Sequence, residues 1–228
     1  MPGVHRAVSD AWMLAEALCH ESLAGATVAD VCTGTGVLAI EAARQGAARV
    51  YALDVSRRAV TSARLNALLS QVHVTVRRGD LLAPLRDERV DVIVSNPPYI
   101  PAATDQLPRH RVATALDAGV DGRALIDRIC AEAGSHLRPG GRLLLVHSSV
   151  CNVQLTCETM RAHGLEPDVV ERRDGPLGPV MRSRAALLRE RGLLGGEDHE
   201  EIVVVRGLLS TVPSPASPSL ATSSASVR

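Results

Sequence analysis

The sequence predicts a single α/β domain in which a mostly parallel sheet carries helices on both faces. Short apolar runs alternate along the chain with stretches of helical character, as expected for parallel strands joined by crossover helices. The first such unit is a strand at residues 27–31, a glycine-rich turn and a helix at residues 37–45. A chain of 228 residues can bury roughly 70% of its unfolded surface in one domain of this kind.

The other predicted elements follow in chain order. Six further strands are expected at residues 49–53, 72–76, 90–94, 142–146, 167–171 and 201–205. Helices are expected at residues 55–69, 124–137, 153–163 and 182–191. Seven strands with these helices indicate a Rossmann-like sheet, and open sheets of that type bind their ligands outside the carboxyl ends of the strands.

Composition sets the expected domain limits. We expect an N-terminal helix of one or two turns within residues 1–25, the α/β domain at 26–208, and a disordered tail at 209–228 that is rich in Ser, Pro and Ala. The first residues lack the long apolar core of a signal peptide, and no run reaches the length that spans a membrane. A cytoplasmic protein without membrane contact is therefore expected.

Charge and cysteine content narrow the classes of partner. Basic and acidic residues are equal in number at 25 each, so nothing indicates a polyanion such as nucleic acid. The five cysteines lack paired close spacing, which argues against a disulfide framework and a CxxC metal site. The histidines lack metal-ligand spacing, and no metal is expected. Because Phe is absent and Tyr occurs only twice, the core must be built from Leu, Val, Ile and Ala.

The turn after the first strand has the features of a nucleotide-binding loop. Asp30 and Thr33 precede Gly34 and Gly36, and these glycines with Ala39 fit the G-x-G-x-x-G/A spacing. Glycines let the backbone approach a ligand, and the start of the next helix offers unpaired N–H groups. The spacing alone is a weak signal, and Asp30 could simply hydrogen-bond the loop.

Acidic residues follow the second and third predicted strands. Asp54 comes about 20 residues after the turn, where a carboxylate can bind the hydroxyls of a ribose. Asp80 lies where it could accept a hydrogen bond from the amine of an adenine. Alternatively, Asp54 is a helix N-cap and Asp80 a turn residue. Their order at successive strand ends favours binding, because parallel strands end at the same edge of the sheet.

The residues after the fourth strand indicate the chemistry. Asn96, Pro97, Pro98 and Tyr99 place a side-chain carbonyl beside a backbone carbonyl in a segment with few amide donors. Two such acceptors can hold one NH2 group whose lone pair is delocalised, and can stabilise the charge that it develops when it attacks a methyl group. The Tyr99 ring could lie against a planar acceptor. An ordinary turn beginning at Asn-Pro is the alternative.

Together these motifs resemble class I S-adenosylmethionine-dependent methyltransferases, and more narrowly the HemK/PrmC-type family that methylates a glutamine amide of peptide chain release factors. The stretch ALDAGVDGR at residues 115–123 is similar to a segment that follows the catalytic loop in that family. Ser9-Asp10 followed by Trp12-Met13-Leu14 is similar to its N-terminal motif. The likeness covers roughly residues 7–207, with Ser9 and Ala118 as departures from the usual Glu and Gly.

The resemblance implies a cofactor, a substrate and a set of roles. The cofactor would be S-adenosylmethionine, and the substrate the glutamine of the Gly-Gly-Gln loop of a release factor. The implied cofactor contacts are Asp30, Thr33, Gly34, Gly36, Asp54, Asp80 and Asn96. The implied catalytic residues are Asn96, Pro97 and Tyr99, and the implied substrate contacts are Asn96, Pro97, Pro98, Tyr99 and Asp117. Transfer to an amide needs no strong base, so no essential His or Cys is expected.

Several alternatives stay open on the sequence alone. Bacterial members of the family usually carry an N-terminal helical domain that helps to dock the release factor, and only a short helix is predicted here. An activator subunit could be needed, as in the shorter branch of the family. The acceptor could also be a small molecule. It could also be an amine of an RNA or DNA base, although the neutral net charge of the chain argues against this. A scaffold without activity and a dinucleotide oxidoreductase fit the glycine turn but have no use for residues 96–99. The basic stretch 182–191 is interpreted as a solvated face in preference to a wall of the acceptor site.

Overall fold

The fold is taken from a computed structural model that describes residues 9–105, 116–196 and 198–211. The strands are β1 Thr27–Val31, β2 Arg49–Asp54, β3 Thr75–Arg78, β4 Val90–Ser95, β5 Leu137–Ser148, β6 Leu165–Pro176 and β7 His199–Leu209. The helices are α1 Ser9–Cys19, α2 Val37–Arg44, α3 Arg57–Leu69, α4 Ala124–His136, α5 Val153–Ala162, α6 Pro179–Ser183 and α7 Ala185–Glu190. The predicted α/β class and the seven predicted strands are confirmed.

The strands form one sheet in the order β3-β2-β1-β4-β5-β7-β6. β1 pairs in parallel with both β2 and β4, and β5 continues the parallel sheet beside β4. β7 inserts antiparallel between β5 and β6. The chain therefore changes direction across the sheet between β1 and β4, and a crevice is expected outside the carboxyl ends of these two strands.

Alternating residues of the strands supply two apolar cores, one on each face of the sheet. On β5, Leu143 and Leu145 pack with α4 and α5, while Leu144 and Val146 pack with α1 and α2 on the other face. This division follows from the two-residue period of a strand. Every residue of β1 is buried, because helices cover both faces, and the cores consist mainly of Leu, Val, Ile and Ala as predicted.

A small third apolar cluster involves residues 177–196, the segment that connects β6 to β7 and that we call the cap. The cap contains α6 and α7. Its buried apolar residues Leu177, Met181, Ala185 and Leu188 pack against Val150 in the turn after β5. The cap therefore sits at the carboxyl edge of the sheet rather than on one of its faces.

Three predicted boundaries are wrong for identifiable reasons. The third strand begins at Thr75, not at residue 72, because Gln71 adopts a φ of 56° and the Val72 N–H bonds to Ala67, which closes α3 with a turn. The helix predicted at 182–191 is two short helices with Arg184 between them. α1 has 11 residues, about three turns rather than one or two.

Some sequence predictions concern parts of the chain outside the described residues. These are the first eight residues of the predicted N-terminal segment 1–25, most of the predicted tail, residues 212–228, and Ala115 at the start of the ALDAGVDGR stretch. Within the described ranges, every helix is too short or too polar to cross a bilayer.

Candidate active site

The register of three neighbouring strands brings the predicted site residues to one edge. Val31, the last residue of β1, pairs with Leu53 of β2 and with Ser95 of β4. The Ser95 hydroxyl also donates to the Val31 carbonyl over 2.8 Å. The glycine turn, Asp54 and Asn96 therefore leave the sheet side by side, as the sequence predicted.

The glycine turn is held against α3. Gly36 has a φ of 84° and is the N-cap of α2. A Cβ there would lie 3.1 Å from the Cβ of Ala63, so the turn and the helix could not approach each other so closely with a larger residue. The Asn66 side chain donates to the Thr35 carbonyl over 2.8 Å. α3 thus fixes the turn in a conformation with backbone N–H groups available at the start of α2.

Asp30 is the buried acid at the base of this turn. One oxygen, Oδ2, accepts from the Thr33 hydroxyl at 2.5 Å and from the Ala39 N–H at 3.0 Å. The other oxygen, Oδ1, is buried and has no hydrogen-bond partner among the described residues. Burial raises the pKa of Asp30 from 3.8 to about 7. Asp30 therefore organises the loop through one oxygen and keeps the other for a donor.

Asp54 joins the turn to α3 through both carboxylate oxygens. Oδ2 accepts from the Gly34 N–H at 3.0 Å and Oδ1 from the Ser56 N–H at 2.8 Å. Ser56, rather than Asp54, is the N-cap of α3, so the N-cap alternative is wrong. Burial raises the pKa of Asp54. Each oxygen retains a further lone pair, which suits a pair of ribose hydroxyls.

Asp80 lies at the outer side of the same edge. The Gly79 N–H donates to the Asp54 carbonyl over 3.0 Å, which places the two acids next to each other in the fold. The exposed Asp80 carboxylate accepts from both terminal nitrogens of Arg128, at 3.2 and 2.8 Å. No local sequence pattern indicates Arg128, which is 48 residues away. A contact of Asp80 with an adenine amine stays a prediction, and it would share the carboxylate with that guanidinium.

Asn96 and Pro97 begin the loop after β4. Asn96 is half-buried and Pro97 is buried. Within the described part of the chain, neither the Asn96 side chain nor the Pro97 carbonyl takes part in a hydrogen bond. Because Pro97 and Pro98 have no N–H, the segment cannot satisfy these acceptors itself. Their roles toward a substrate stay predictions, and the structure leaves both groups available for them.

Tyr99 connects this loop to the N-terminal helix. Its hydroxyl donates to Oδ2 of Asp10 at 2.5 Å, and its ring packs against both the main core and the cap. Burial and then the Asp10 charge raise its pKa well above the ordinary value. Tyr99 therefore remains a neutral phenol and anchors the loop. Its predicted stacking on a planar acceptor remains untested.

The ALDAGVDGR stretch runs beside the loop and supports it. Ile100 and Asp117 form a parallel bridge, with Ile100 N–H donating to the Leu116 carbonyl at 2.9 Å and Ala118 N–H to the Ile100 carbonyl at 3.1 Å. The Asp117 carboxylate is mostly buried and pairs with Arg184 at 2.7 Å. Asp117 thus has a partner within the chain, and its contact with substrate stays a prediction.

Gly122 allows the closest approach in this support. It has a φ of 78°, and a Cβ there would overlap the Tyr99 carbonyl oxygen and lie 2.8 Å from the Cys151 Sγ. Gly164 has nearly the same φ, 79°, with no atom within 4 Å of a Cβ. The two glycines therefore share the backbone conformation and differ only in their surroundings.

Replacing Gly122 by alanine is expected to destabilise the fold more than the same change at Gly164. The left-handed conformation alone should cost roughly 1 kcal/mol at either site, and overlap with the loop should add roughly 1–3 kcal/mol at Gly122. Urea unfolding of both variants measures the difference. Equal losses would show that the loop moves away from Gly122 without cost.

The remaining candidate groups are histidine and cysteine side chains. No cluster of three His, Cys, Asp or Glu side chains that could bind a metal ion occurs in the described ranges. His147 is fully buried on β5, where burial lowers its pKa to about 4. Burial raises the pKa of the thiols of Cys32 and Cys151. These groups are uncharged at neutral pH, and the dispensability of His and Cys stays a prediction.

The cap corrects one sequence interpretation. Arg184 and Arg191 are half-buried and bind backbone carbonyls next to the loop, so the preferred interpretation of this stretch as a solvated face is wrong for them. It holds for Arg182 and Arg189, which are exposed. The acceptors are main-chain atoms more than 70 residues away, and no local sequence pattern indicates them.

Comparison with known proteins identifies the family of this chain. The family model described as "Methyltransferase small domain" matches residues 9–164. A release factor glutamine methyltransferase of Mycolicibacterium smegmatis is 39% identical over 170 residues, which cover 72% of this chain and 58% of that protein. A ribosomal protein uL3 glutamine methyltransferase of Bradyrhizobium diazoefficiens is 44% identical over 124 residues, or 51% of this chain and 39% of that protein. The chain thus spans roughly half the length of these two relatives.

A solved structure supports the fold independently. The E. cuniculi Mtq2-Trm112 complex, which methylates the translation termination factor eRF1, contains a chain that superposes with a TM-score of 0.62 at 23% identity, covering 91% of this chain and 99% of that one. This likeness shows the class I methyltransferase fold. On the match to its family model and on the strand-end residues assembled here, the chain belongs to the methyltransferase small domain family.

Proposed function

We propose that this protein transfers a methyl group from S-adenosylmethionine to the side-chain nitrogen of a glutamine, in the Gly-Gly-Gln loop of a peptide chain release factor. The observation that supports the proposal is that Asn96 and Pro97, whose side-chain and backbone carbonyls make no hydrogen bond to the described residues, directly follow the end of β4 that pairs with the end of β1 before the glycine turn. The named activities of the M. smegmatis and E. cuniculi proteins support the choice of acceptor.

The residues at the edge fit the cofactor. The glycine turn leads into the first turn of α2, whose backbone N–H groups suit a ligand. The carboxylate of Asp54 has lone pairs for ribose hydroxyls, and the unpaired Oδ1 of Asp30 suits a cationic donor. Thr33 holds Asp30 in place through its hydroxyl. When bound, the cofactor supplies a methyl group on a positively charged sulfur. The chain's own task is then to present the acceptor nitrogen to it.

That task falls to the loop after β4. An amide lone pair is delocalised, so the nitrogen becomes nucleophilic only as its N–H bonds are polarised by acceptors. Asn96 Oδ1 and the Pro97 carbonyl provide two, and both are held in a proline-rich backbone that cannot compete for them. Holding both reactants in attack geometry can contribute about 7–11 kcal/mol. The methylated nitrogen is acidic enough to lose its proton without a strong base.

A ribosomal protein is a second candidate acceptor. The uL3 glutamine methyltransferase of B. diazoefficiens is 44% identical over 124 residues, a level similar to the 45% over 126 residues of a release factor enzyme of Moorella thermoacetica. Both acceptors present the same amide, so the loop after β4 would serve either. Neutral overall charge disfavours a nucleic-acid base as the acceptor.

The proposal is tested by direct methylation. The purified chain is incubated with labelled S-adenosylmethionine and, in separate reactions, with a release factor, ribosomal protein uL3 or total RNA. We expect a label on the release factor, located by mass spectrometry at the glutamine of its Gly-Gly-Gln loop and absent when that glutamine is replaced by asparagine. Label on uL3 alone would favour the second candidate, and label on RNA alone would refute both.

We also propose a small partner subunit for the enzyme. The solved E. cuniculi complex pairs its methyltransferase with a second protein. On this chain, the end of α3 beside edge strand β3 exposes Leu65, Leu68 and Leu69, with Leu68 and Leu69 more than 70% exposed. Such an apolar surface next to an unpaired strand edge suits a protein partner.

A further inference from the structure

The cap carries two kinds of arginine. Arg182 and Arg189 are exposed, whereas Arg184 and Arg191 are half-buried. Residues seven apart lie on the same side of a helical segment, so Arg184 and Arg191 project toward the same neighbour. That neighbour is the chain that continues from the Asn96 loop.

Arg184 joins the two halves of the bridge beside the loop. Its Nη1 donates to the Pro101 carbonyl at 2.7 Å and pairs with Oδ1 of Asp117 at 2.7 Å. Pro101 lies two residues after Tyr99, and Asp117 belongs to the supporting ALDAGVDGR stretch. The Arg184 guanidinium therefore joins the segment that follows the loop to the stretch that supports it.

Arg191 binds the next carbonyls along the same chain. Its Nη1 donates to the carbonyls of Ala102 at 2.6 Å and Val120 at 2.9 Å, and its Nη2 donates to that of Ala103 at 3.1 Å. A planar guanidinium presents five N–H donors in a rigid fork, whereas an ammonium group presents three donors from a single nitrogen. Like Arg184, Arg191 therefore joins the segment after the loop, at Ala102 and Ala103, to the supporting stretch, at Val120.

The loop needs these outside donors because its own sequence lacks them. Pro97, Pro98 and Pro101 have no N–H, so the segment cannot form a regular ladder with a neighbouring strand. The Ile100 and Ala102 N–H groups do bond to the supporting stretch. The carbonyls of residues 101–103 take their donors from the cap.

The cap is itself fixed to the sheet, so that it can act as a rigid holder. Its apolar residues, among them Met181 and Leu188, are buried against the turn after β5. Oε1 of Glu200, at the start of β7, accepts from the Gly178 N–H at 2.9 Å. The cap is therefore anchored to the turn after β5 and to β7, in addition to its contacts with Tyr99 and Ile100, and it presents the two arginines to the loop.

We propose that Arg184 and Arg191 are positioning residues that hold the loop carrying Asn96 and the Pro97 carbonyl in register with the carboxyl edge of β1 and β4. They act through the backbone of residues 101–103 and contact neither substrate nor cofactor. The catalytic consequence rests on the proposed function, whereas the restraint on the loop does not.

The test compares Arg184→Ala, Arg191→Ala and the double variant with the wild-type chain. For release factor methylation, we expect kcat to fall about 10- to 100-fold in the double variant, because small displacements of reacting groups have effects of that size. KM for the release factor should change less than kcat, and the affinity for S-adenosylmethionine should be retained. Amide hydrogen exchange at Ile100 and Ala102 should accelerate, while exchange in β1 and β4 stays slow.

The matched control is Arg189→Ala. Arg189 lies on the same helix but pairs with Asp198 at 2.5 Å and with the Gly195 and Gly196 carbonyls, all close to it in the chain. Its loss should leave kcat and the exchange of the loop unchanged. Arg191→Lys keeps the charge without the fork and should give an intermediate loss, and it also serves if the alanine variants fold poorly.

Two results would overturn the positioning role of Arg184 and Arg191. One is an unchanged kcat with unchanged exchange at residues 100–102 in the double variant. The other is a parallel loss of cofactor affinity and of slow exchange in β1 and β4, which would mark a general structural role. If the wild-type chain methylates no release factor, the proposed function is wrong. The hydrogen-exchange data then decide by themselves whether Arg184 and Arg191 restrain the loop.

Discussion

Replacing Asn96 by alanine is expected to lower turnover by roughly 100- to 1000-fold, by analogy with the loss of one group that stabilises a developing charge. The side chain makes no hydrogen bond to the described residues, so its removal leaves no internal partner unsatisfied. Both stability and cofactor affinity should therefore be nearly retained. Single-turnover methylation of the release factor, with calorimetric titration of S-adenosylmethionine, measures the two quantities separately.

Asp54→Ala is the control for Asn96→Ala, because it should lower cofactor affinity rather than turnover. This change removes the acceptor of the Gly34 and Ser56 N–H groups and the proposed ribose contact. Hydrogen bonds to a charged group contribute about 1.5–3 kcal/mol, so cofactor affinity should fall about 10- to 100-fold. The methyl transfer step at saturating cofactor should change much less. If both variants lost cofactor affinity equally, the division of roles between Asp54 and Asn96 would be wrong.

Asn96→Asp separates the acceptor from the rest of the amide. The variant keeps an oxygen at the same place but loses the NH2 group and adds a charge. If acceptance of the substrate N–H is what matters, this variant should retain more activity than Asn96→Ala. A lower activity than alanine would indicate that the Asn96 NH2 group itself makes an essential contact.

The parts of the fold that the sequence predicted well depend on local patterns. β1, the glycine turn and α2 follow one another within 18 residues, and each has its own signal in apolar content or glycine spacing. β3 was misplaced because Val72 and Val74 look like strand residues, whereas the turn that closes α3 occupies residues 70–72. Whether residues 70–72 form a turn or begin the strand depends on backbone geometry, which the apolar content of the segment does not reveal.

The site was predictable in its strand-end residues but not in their partners. Asp30, Asp54 and Asn96 could be placed together because parallel strands end at one edge. Tyr99 binds Asp10 across 89 residues, and Asp117 pairs with Arg184 on the cap. These partners are brought together only by the complete topology. Arg191 is harder still, since it binds backbone carbonyls that every residue possesses.

We expect the stability of the wild-type chain to depend on pH through Asp30, and we expect Asp30→Asn to abolish that dependence. Burial raises the pKa of Asp30 in the folded state to about 7, against 3.8 as the ordinary value. Between these values the folded chain holds a proton that the unfolded chain has released. The free energy of unfolding therefore falls as pH rises from about 4 to about 7, and is constant above.

The size of the effect follows from the width of that window. One pKa unit corresponds to about 1.4 kcal/mol, so a shift of roughly three units corresponds to about 4 kcal/mol, as an upper order of magnitude. An amide oxygen in place of Oδ2 can still accept from the Thr33 hydroxyl and the Ala39 N–H. The Asp30→Asn variant should thus match the wild type near pH 4 and exceed its stability near pH 8.

Thr33→Val tests the same carboxyl from the other side. The Thr33 hydroxyl lowers the pKa of Asp30, while the nearby Asp54 charge raises it. Removing the hydroxyl should move the end of the sloping region to a higher pH, and urea unfolding at a series of pH values locates it. Identical slopes in the wild type and Asp30→Asn would show that another group titrates.

Without cofactor, Asp30→Asn should be more stable than the wild type near pH 8. Bound S-adenosylmethionine should reverse this order of stability. A cationic donor at the unpaired Oδ1 of Asp30 favours the charged carboxylate, so that ligand binding recovers what burial of the charge costs. The gain in stability on adding cofactor should therefore be larger for the wild type than for Asp30→Asn, and the difference should shrink below pH 6 as Asp30 becomes protonated. An equal gain at all pH values would place the cationic group of the cofactor away from Asp30.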